Sequence, residues 1–185
     1  EDDFRAAPAP FRGRGRRLEE QLALMRRIWA GEAVGDGAGA VGPAPVQRGG
    51  PEVLLGGYAP AAIGRVGRLA DGFISGGLPP KMAEQMYRAA EEAWRAAGRP
   101  GRPRLVTAIY YALGPDAVER GAPYLRHYYG YMGQGAENVV QGMHATPQRV
   151  RETLQAAGDL GVDEVMCWPC IAELDQVERL AELAG

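Results

Sequence analysis

The sequence predicts an α/β fold built on a parallel sheet of about four strands with flanking helices. Three observations carry that expectation. Short runs of β-forming residues alternate with stretches of helical periodicity, the pattern of repeated βα units. Residues 51–77, PEVLLGGYAPAAIGRVGRLADGFISGG, form one complete unit. There an apolar run at Val53-Leu54-Leu55 breaks at Gly56-Gly57, a helical pattern runs from 60 to 70, and a second apolar run begins at Gly72-Phe73-Ile74. Finally, the chain has 185 residues, 46% of them hydrophobic, enough for a single domain over 1–185 with a real core.

The elements follow in order. Residues 1–15, rich in Pro, Arg and Gly, predict an arm or loop. From residue 16 onward Leu18, Leu22, Met25 and Ile28/Trp29 recur at helical spacing and predict one apolar face. Arg12, Arg14, Arg16 and Arg17 form either a solvated basic patch or a contact for an anionic ligand. Residues 31–50 are dense in Gly, with Pro43 and Pro45, and predict a loop with a short hairpin near 41–46. After the central unit, a helix is expected over 81–97, with Met82, Met86, Ala90 and Trp94 on one face and a stop at Gly98 and Pro100.

Residues 105–113, LVTAIYYAL, are rich in β-formers and predict the third strand. Residues 116–132 have helical tendency interrupted by Gly121 and Pro123, and 133–142 read as a glycine-rich connector. Thr146-Pro147 is a helix start, with Thr at the N-cap and Pro at the first helical position. Val150, Leu154, Ala157 and Leu160 complete that helix's apolar face. Residues 162–168, VDEVMCW, predict the fourth strand. The final helix, 174–183, should turn Leu174, Val177, Leu180/Ala181 and Ala184 inward.

Composition narrows the function classes. The net charge is −2, which argues against electrostatic capture of nucleic acid. No apolar run approaches the ~20 residues needed to span a bilayer. The N-terminus is acidic, then arginine-rich, without an apolar signal core. The reading is therefore of a cytoplasmic protein with no membrane or nucleic-acid partner. The chain does not begin with Met, so it is expected to be a processed product or a fragment. Only two cysteines are present, which gives no second pair of ligands for a metal site.

Gly56-Gly57 carries the chemistry. Two glycines between a strand and a helix let the backbone turn sharply and let a ligand approach the main chain. The helix start behind them presents free N–H groups and the positive end of a dipole, which suits a phosphate.

The same stretch, VLLGGYAPAAIGRVGRLADGF, resembles the strand–Gly-Gly–helix–Ala-Asp-Gly segment of the bacterial luciferase-like monooxygenases. That superfamily contains FMN-dependent monooxygenases and coenzyme F420-dependent oxidoreductases. FRGRGRRLEEQLALMRRIWAGE resembles its Arg-rich entry into the helix before the fifth strand, and GMHATPQRV its Thr-Pro helix entry before the last. The resemblance implies the C-terminal half of a (β/α)8 barrel. It implies FMN or F420 as cofactor, not distinguishable here, with the phosphate on Gly56, Gly57 and Tyr58. The family's front half, which carries the residues nearest the flavin ring, has no counterpart in this chain. No catalytic residue is therefore assigned.

Other candidates are weighed beside it. Ser75 and Gly76 follow the second strand as either a cofactor contact or a plain turn. Tyr110 and Tyr111 end the third strand, where barrel enzymes place their active sites. Side chains alternate along a strand, so one should face the mouth and the other the helices. His127, in the tyrosine-rich run 124–131, and His144 are each a pocket residue or a structural histidine. Asp71-Gly72 reads as structural. Cys167-Trp168-Pro169-Cys170 is a CxxC at a strand end, a dithiol motif or an incidental one.

The expected function is a flavin- or F420-dependent oxidoreductase or monooxygenase acting on a small molecule, of which this chain supplies the cofactor-phosphate half. The alternative is a non-catalytic half-barrel that self-associates, and a weaker third is a dithiol redox protein. Four parallel strands leave open edges, so a homo-oligomer or association with a missing N-terminal half is expected.

Overall fold

The computed structural model describes residues 2–184 apart from 8, 36 and 38. Residues 1 and 8 of the expected arm, 36 and 38 of the expected insertion loop, and the inward placement of the Ala184 side chain lie outside what it describes. The elements are α1 (Asp2–Ala6), α2 (Arg14–Trp29), β1 (Leu54–Leu55), α3 (Pro60–Leu69), β2 (Gly72–Ile74), α4 (Pro80–Ala96), β3 (Arg104–Tyr111), α5 (Ala117–Tyr128), a 3-10 turn (Gly130–Met132), α6 (Gly135–Gly142), α7 (Pro147–Asp159), β4 (Glu164–Pro169) and α8 (Asp175–Ala184). The four strands are parallel and lie in chain order, β1-β2-β3-β4. Each crossover carries helix, as parallel pairing requires. Among the described residues, no helix is long and apolar enough to cross a membrane.

The sheet has a helix-covered face and an inner face. On the covered face, Phe73 and Leu105 pack with Ile63 and Val66 of α3 and Tyr87 and Ala90 of α4. Tyr111 and Leu113 pack with Val150 and Leu154 of α7 and Leu180 of α8. Fully burying a side chain the size of Phe73 contributes about 1.5–3 kcal/mol, so these two layers dominate stability. A third cluster sits at the C-terminal end of the sheet, where Ala112, Cys170 and Ile171 meet Ala122 and Leu125 of α5 and Val140 of α6.

Several expectations need correction. Part of the expected arm is helical: α1 lies within residues 1–15, and α2 begins two residues earlier than its apolar spacing indicates. Of the α2 face only Leu22 is buried, while Leu18 and Met25 are exposed. The loop 31–50 holds an antiparallel bridge between Ala33 and Ala40 rather than a hairpin at 41–46. β3 stops at Tyr111. On α4, Met82 is exposed and Tyr87 is buried with Ala90 and Trp94, because the face is centred one position further on.

The connector 133–142 is largely helix α6. α5 runs unbroken through Gly121 and Pro123. Gly121 is there for contact: a Cβ at this position would lie 2.9 Å from Met143 Sδ and 3.0 Å from the Ala112 methyl. Its absence lets α5 lie directly on the end of the sheet. Leu174, just before α8, and Val177 on it are exposed, while Gln176 is fully buried. A buried amide takes the inward place that the apolar period gives to Leu174 and Val177.

Two aspartates lock the opposite, N-terminal end of the sheet in the same way. Asp71, just before β2, accepts a hydrogen bond from Val53 N (2.8 Å) beside β1. Asp163, just before β4, accepts one from Leu105 N (2.8 Å) of β3. Asp71 is thus structural, as its position before a strand predicts. Arg102 grips Asp163 with both guanidinium nitrogens, at 2.8 and 2.6 Å. That contact is the main reason its carboxyl sits below the usual range. A depressed carboxyl contributes stability above its unfolded pKa and loses it as pH falls through the folded value. Asp163→Asn is therefore expected to cost about 1 kcal/mol at pH 7, the difference between a charged and a neutral hydrogen-bond acceptor. The gap to wild type should begin to narrow in thermal melts below about pH 4, where the unfolded carboxyl protonates, and close as pH falls through the lower folded value. A gap independent of pH would contradict the assignment.

Candidate functional site

The C-terminal ends of β1 and β2 come together. Gly56 leaves β1 so close to β2 that a Cβ there would lie 2.8 Å from Ile74 O. Gly57 has φ +135°, a conformation that side chains other than hydrogen resist. A Cβ there would also lie 2.8 Å from the Ala62 methyl in the first turn of α3. The α3 helix starts at Pro60 behind an Ala59 N-cap that provides no side-chain hydrogen bond. Its helical bonding begins with Ala62 and Ile63, whose N–H groups both donate to Ala59 O. Ahead of them Pro60 has no N–H, so the helix start offers the Ala61 N–H, with no side-chain cap at Ala59.

Tyr58 is exposed and reaches toward the next loop, where its hydroxyl would lie 3.6 Å from a Cβ on Gly76. The turn, the start of α3 and Gly76 thus lie together at the C-terminal end of β1 and β2. Backbone donors and a positive helix end are the chemistry a phosphate would need, and the Tyr58 side chain lies beside them. This cradle therefore fits the phosphate end of FMN or F420.

Ser75 does not belong to the cradle as expected. It is 2% exposed, and its hydroxyl bonds Tyr87 (2.9 Å) and Thr107 (3.0 Å) on the covered side of the sheet. Its N–H donates to Val106 O. Its work is to tie β2 to β3 and α4.

The tyrosines at the end of β3 divide as alternation requires. Tyr111 is 1% exposed and donates from its hydroxyl to Gln176 O at 3.1 Å, so it faces the helices and lines no pocket. Tyr110 faces the inner side, where its ring meets Trp168 at 6.3 Å and Tyr129 at 6.0 Å, both edge to face. Its hydroxyl shares a hydrogen bond with that of Tyr129 (2.8 Å). Burial, then the Tyr129 contact, raises the Tyr110 pKa, so this phenol stays protonated at neutral pH.

His127 is exposed on α5, away from the side carrying Ala122 and Leu125. His144 is structural. Its main chain pairs with β3 through Tyr110 O and Ala112 N. Nδ1 contacts Tyr110 O at 3.3 Å, which makes it the protonated nitrogen; Nε2 then accepts from the Thr153 hydroxyl at 2.8 Å. Burial lowers its pKa and keeps it neutral.

Tyr129 and Trp168 were not among the sequence's site residues. Trp168 pairs in register with Tyr110. The alternation that selects Tyr110 therefore selects Trp168 once the register is known. Tyr129 arrives through the α5 turn, for which the sequence has no signal beyond a tyrosine run.

The two cysteines separate. Cys167 packs with Tyr111 and Leu180, and Cys170 with Ala122 and Met143. Burial raises both thiol pKa values, that of Cys170 to about 11. An attacking thiol is favoured by the opposite shift, so neither thiol is activated by its surroundings.

A cleft of about 530 Å³ lies at the other end of the sheet, among Arg26, Arg48, Glu52, Asp71 and Arg99. Arg26 and Arg99 there donate to Leu69 O and Ala70 O, closing the C-terminal end of α3. This cleft belongs to the stabilising end of a barrel-type sheet, not the reacting one.

With that geometry in place, the family model described as luciferase-like monooxygenase matches residues 1–170. No curated protein matches the chain. Among solved structures, a monooxygenase from Streptomyces bottropensis is 18% identical with a TM-score of 0.65, covering 99% of this chain and 62% of that one. An F420-dependent secondary alcohol dehydrogenase in complex with an F420-acetone adduct is 16% identical at 0.65, covering 89% and 59%. A riboflavin lyase with modified FMN and riboflavin is 14% identical at 0.68, covering 98% and 59%. Likeness at these identities shows the fold, a run of βα units from a (β/α)8 barrel. The chain spans about 60% of the length of such structures.

Proposed function

The chain belongs to the luciferase-like monooxygenase family, and on that premise we propose that it supplies the cofactor-phosphate end of an FMN- or F420-dependent oxidoreductase acting on a small molecule. One observation carries the reading: the uncapped start of α3 behind a Gly57 held at φ +135°, facing Gly76. The N–H groups of Gly57 and Tyr58 and that of Ala61 at the helix start would hold the phosphate, with the Tyr58 hydroxyl beside it. A bound flavin or deazaflavin supplies the redox chemistry. The chain's own residues bind and orient: the glycine turn fixes the phosphate, and the inner face of β3 and β4 lines the space beyond it. The test is a titration with FMN and with F420, followed by cofactor fluorescence. Saturable binding of one of them supports the reading, and binding of neither overturns it.

Association is proposed from the sheet itself. β1 and β4 are open edges, and Leu24, Met25, Leu174 and Val177 are exposed. Parallel sheets are ordinarily covered on both faces. The protein is expected to self-associate or to pair with a complementary half-barrel. Sedimentation equilibrium at micromolar concentration should give a mass above 19.8 kDa, the mass of one chain. A sharp monomer would count against it.

A further inference from the structure

We propose that Tyr110, Tyr129 and Trp168 form a subsite for a planar, uncharged aromatic substrate that carries a hydrogen-bond acceptor. This deepens the oxidoreductase reading and rests on it for the reaction, though not for the binding.

The three rings form one connected group at the C-terminal ends of β3 and β4. Tyr110 stands between Trp168 and Tyr129, and Tyr129 continues to Tyr128 (4.9 Å between centroids) and Tyr131 (6.2 Å). The far members are open: Trp168 is 50% exposed and Tyr131 81%. Large rings held edge to face, with other faces exposed, offer further aromatic faces or edges a ready partner.

The hydroxyl pair sets the polar requirement. Two phenols share one hydrogen bond. One donates, and the other accepts and keeps its own proton. That proton has no acceptor among the described residues. The pair therefore presents one donor beside the rings, which calls for a carbonyl, ether or hydroxyl oxygen on the ligand. Phenols are protonated at neutral pH, so the donor stays in place. The rings and hydroxyls carry no charge, and the ionic pair of α5 and α6, Arg126 and Glu137, is satisfied internally at 2.6 Å. A charged ligand would lose hydration here without compensation. The phosphate cradle lies at the same end of the sheet, at β1 and β2, so a substrate on this subsite shares the mouth with the cofactor.

The test uses the protein at its full encoded length and three neutral probes: acetophenone (aromatic with an acceptor), ethylbenzene (aromatic without one) and methyl cyclohexyl ketone (an acceptor without an aromatic ring). Affinities are read by saturation-transfer NMR titration. Wild type should bind acetophenone about five-fold or more tighter than either of the others, the worth of one ordinary hydrogen bond or ring contact. The double variant Tyr110→Phe/Tyr129→Phe keeps the rings and removes both hydroxyls. It should bring acetophenone down to the ethylbenzene level and leave ethylbenzene unchanged. Trp168→Ala should weaken both aromatic probes, with circular dichroism confirming the fold of each variant.

The proposal is overturned if wild type fails to bind acetophenone, binds methyl cyclohexyl ketone equally well, or keeps its acetophenone affinity in the double variant. Failure to bind accompanied by association that Trp168→Ala abolishes would show that a second copy covers the rings. FMN and F420 are titrated separately. Selective acetophenone binding without cofactor binding would support the subsite and overturn the cofactor reading alone.

Discussion

Gly57→Val is expected to weaken FMN or F420 binding by about ten- to a thousand-fold in the complete protein. Two effects act together. At φ +135° a β-branched side chain is strained, so the peptide must rotate and its N–H leaves the direction of the ligand. Even unrotated, a Cβ would sit 2.8 Å from the Ala62 methyl, pressing on the first turn of α3, where the Ala61 donor lies. Losing about 1.5–4 kcal/mol, the worth of one charge-assisted hydrogen bond or of two weaker ones, gives that range of affinity. Circular dichroism and a thermal melt separate lost binding from lost fold. Cys170→Ser is the companion variant and should bind cofactor almost as wild type does, because that thiol is buried among Ala122 and Met143, away from the cradle. A folded Gly57→Val protein with wild-type affinity would reduce the glycine pair to a turn.

Gln176→Leu should destabilise the protein by about 2–6 kcal/mol, which for a chain of this size is a fall in Tm of roughly 5–20 °C. Gln176 is 0% exposed. Its Oε1 accepts from Leu113 N at 2.8 Å and its Nε2 donates to Leu113 O at 2.9 Å. The side-chain amide thus extends β3 past its last paired residue, standing in for a neighbouring strand. Leucine has nearly the same volume and leaves no large cavity, so the loss isolates the two stranded backbone groups. Gln176→Glu sharpens the test. A carboxylate can accept from Leu113 N but faces Leu113 O with a lone pair, whereas the protonated acid can donate to it. The native state then favours the protonated form, and the folded pKa rises. The variant should be more stable near pH 5 than at pH 7, losing stability as pH rises through the folded value. A Gln176→Leu melt within a degree or two of wild type would show that the amide contributes nothing.

The sequence by itself determined whatever depends on neighbours along the chain. The alternation of β-forming and helical runs fixed the four strands and their crossovers. Gly56-Gly57 announced a tight turn, and Gly57 at φ +135° takes a backbone that glycine adopts most readily. Thr146-Pro147 announced a helix start, and the Thr146 hydroxyl does accept from Arg149 N, three residues on. Alternation along β3 required Tyr110 and Tyr111 to face opposite ways. Tertiary structure alone decided what each face meets. Ser75 is drawn into the sheet by Tyr87 and Thr107, 12 and 32 residues away. Gln176 is buried because the end of β3, 63 residues earlier, needs an amide. Gly121 sits inside α5 because packing against Ala112 and Met143 outweighs weak local helix propensity. Trp168 joins Tyr110 only through a register set by the whole β3–β4 pairing. A period states which residues share a face. The free energy that decides their partners comes from desolvation and hydrogen bonding between segments far apart in the chain, and local pattern carries no record of it.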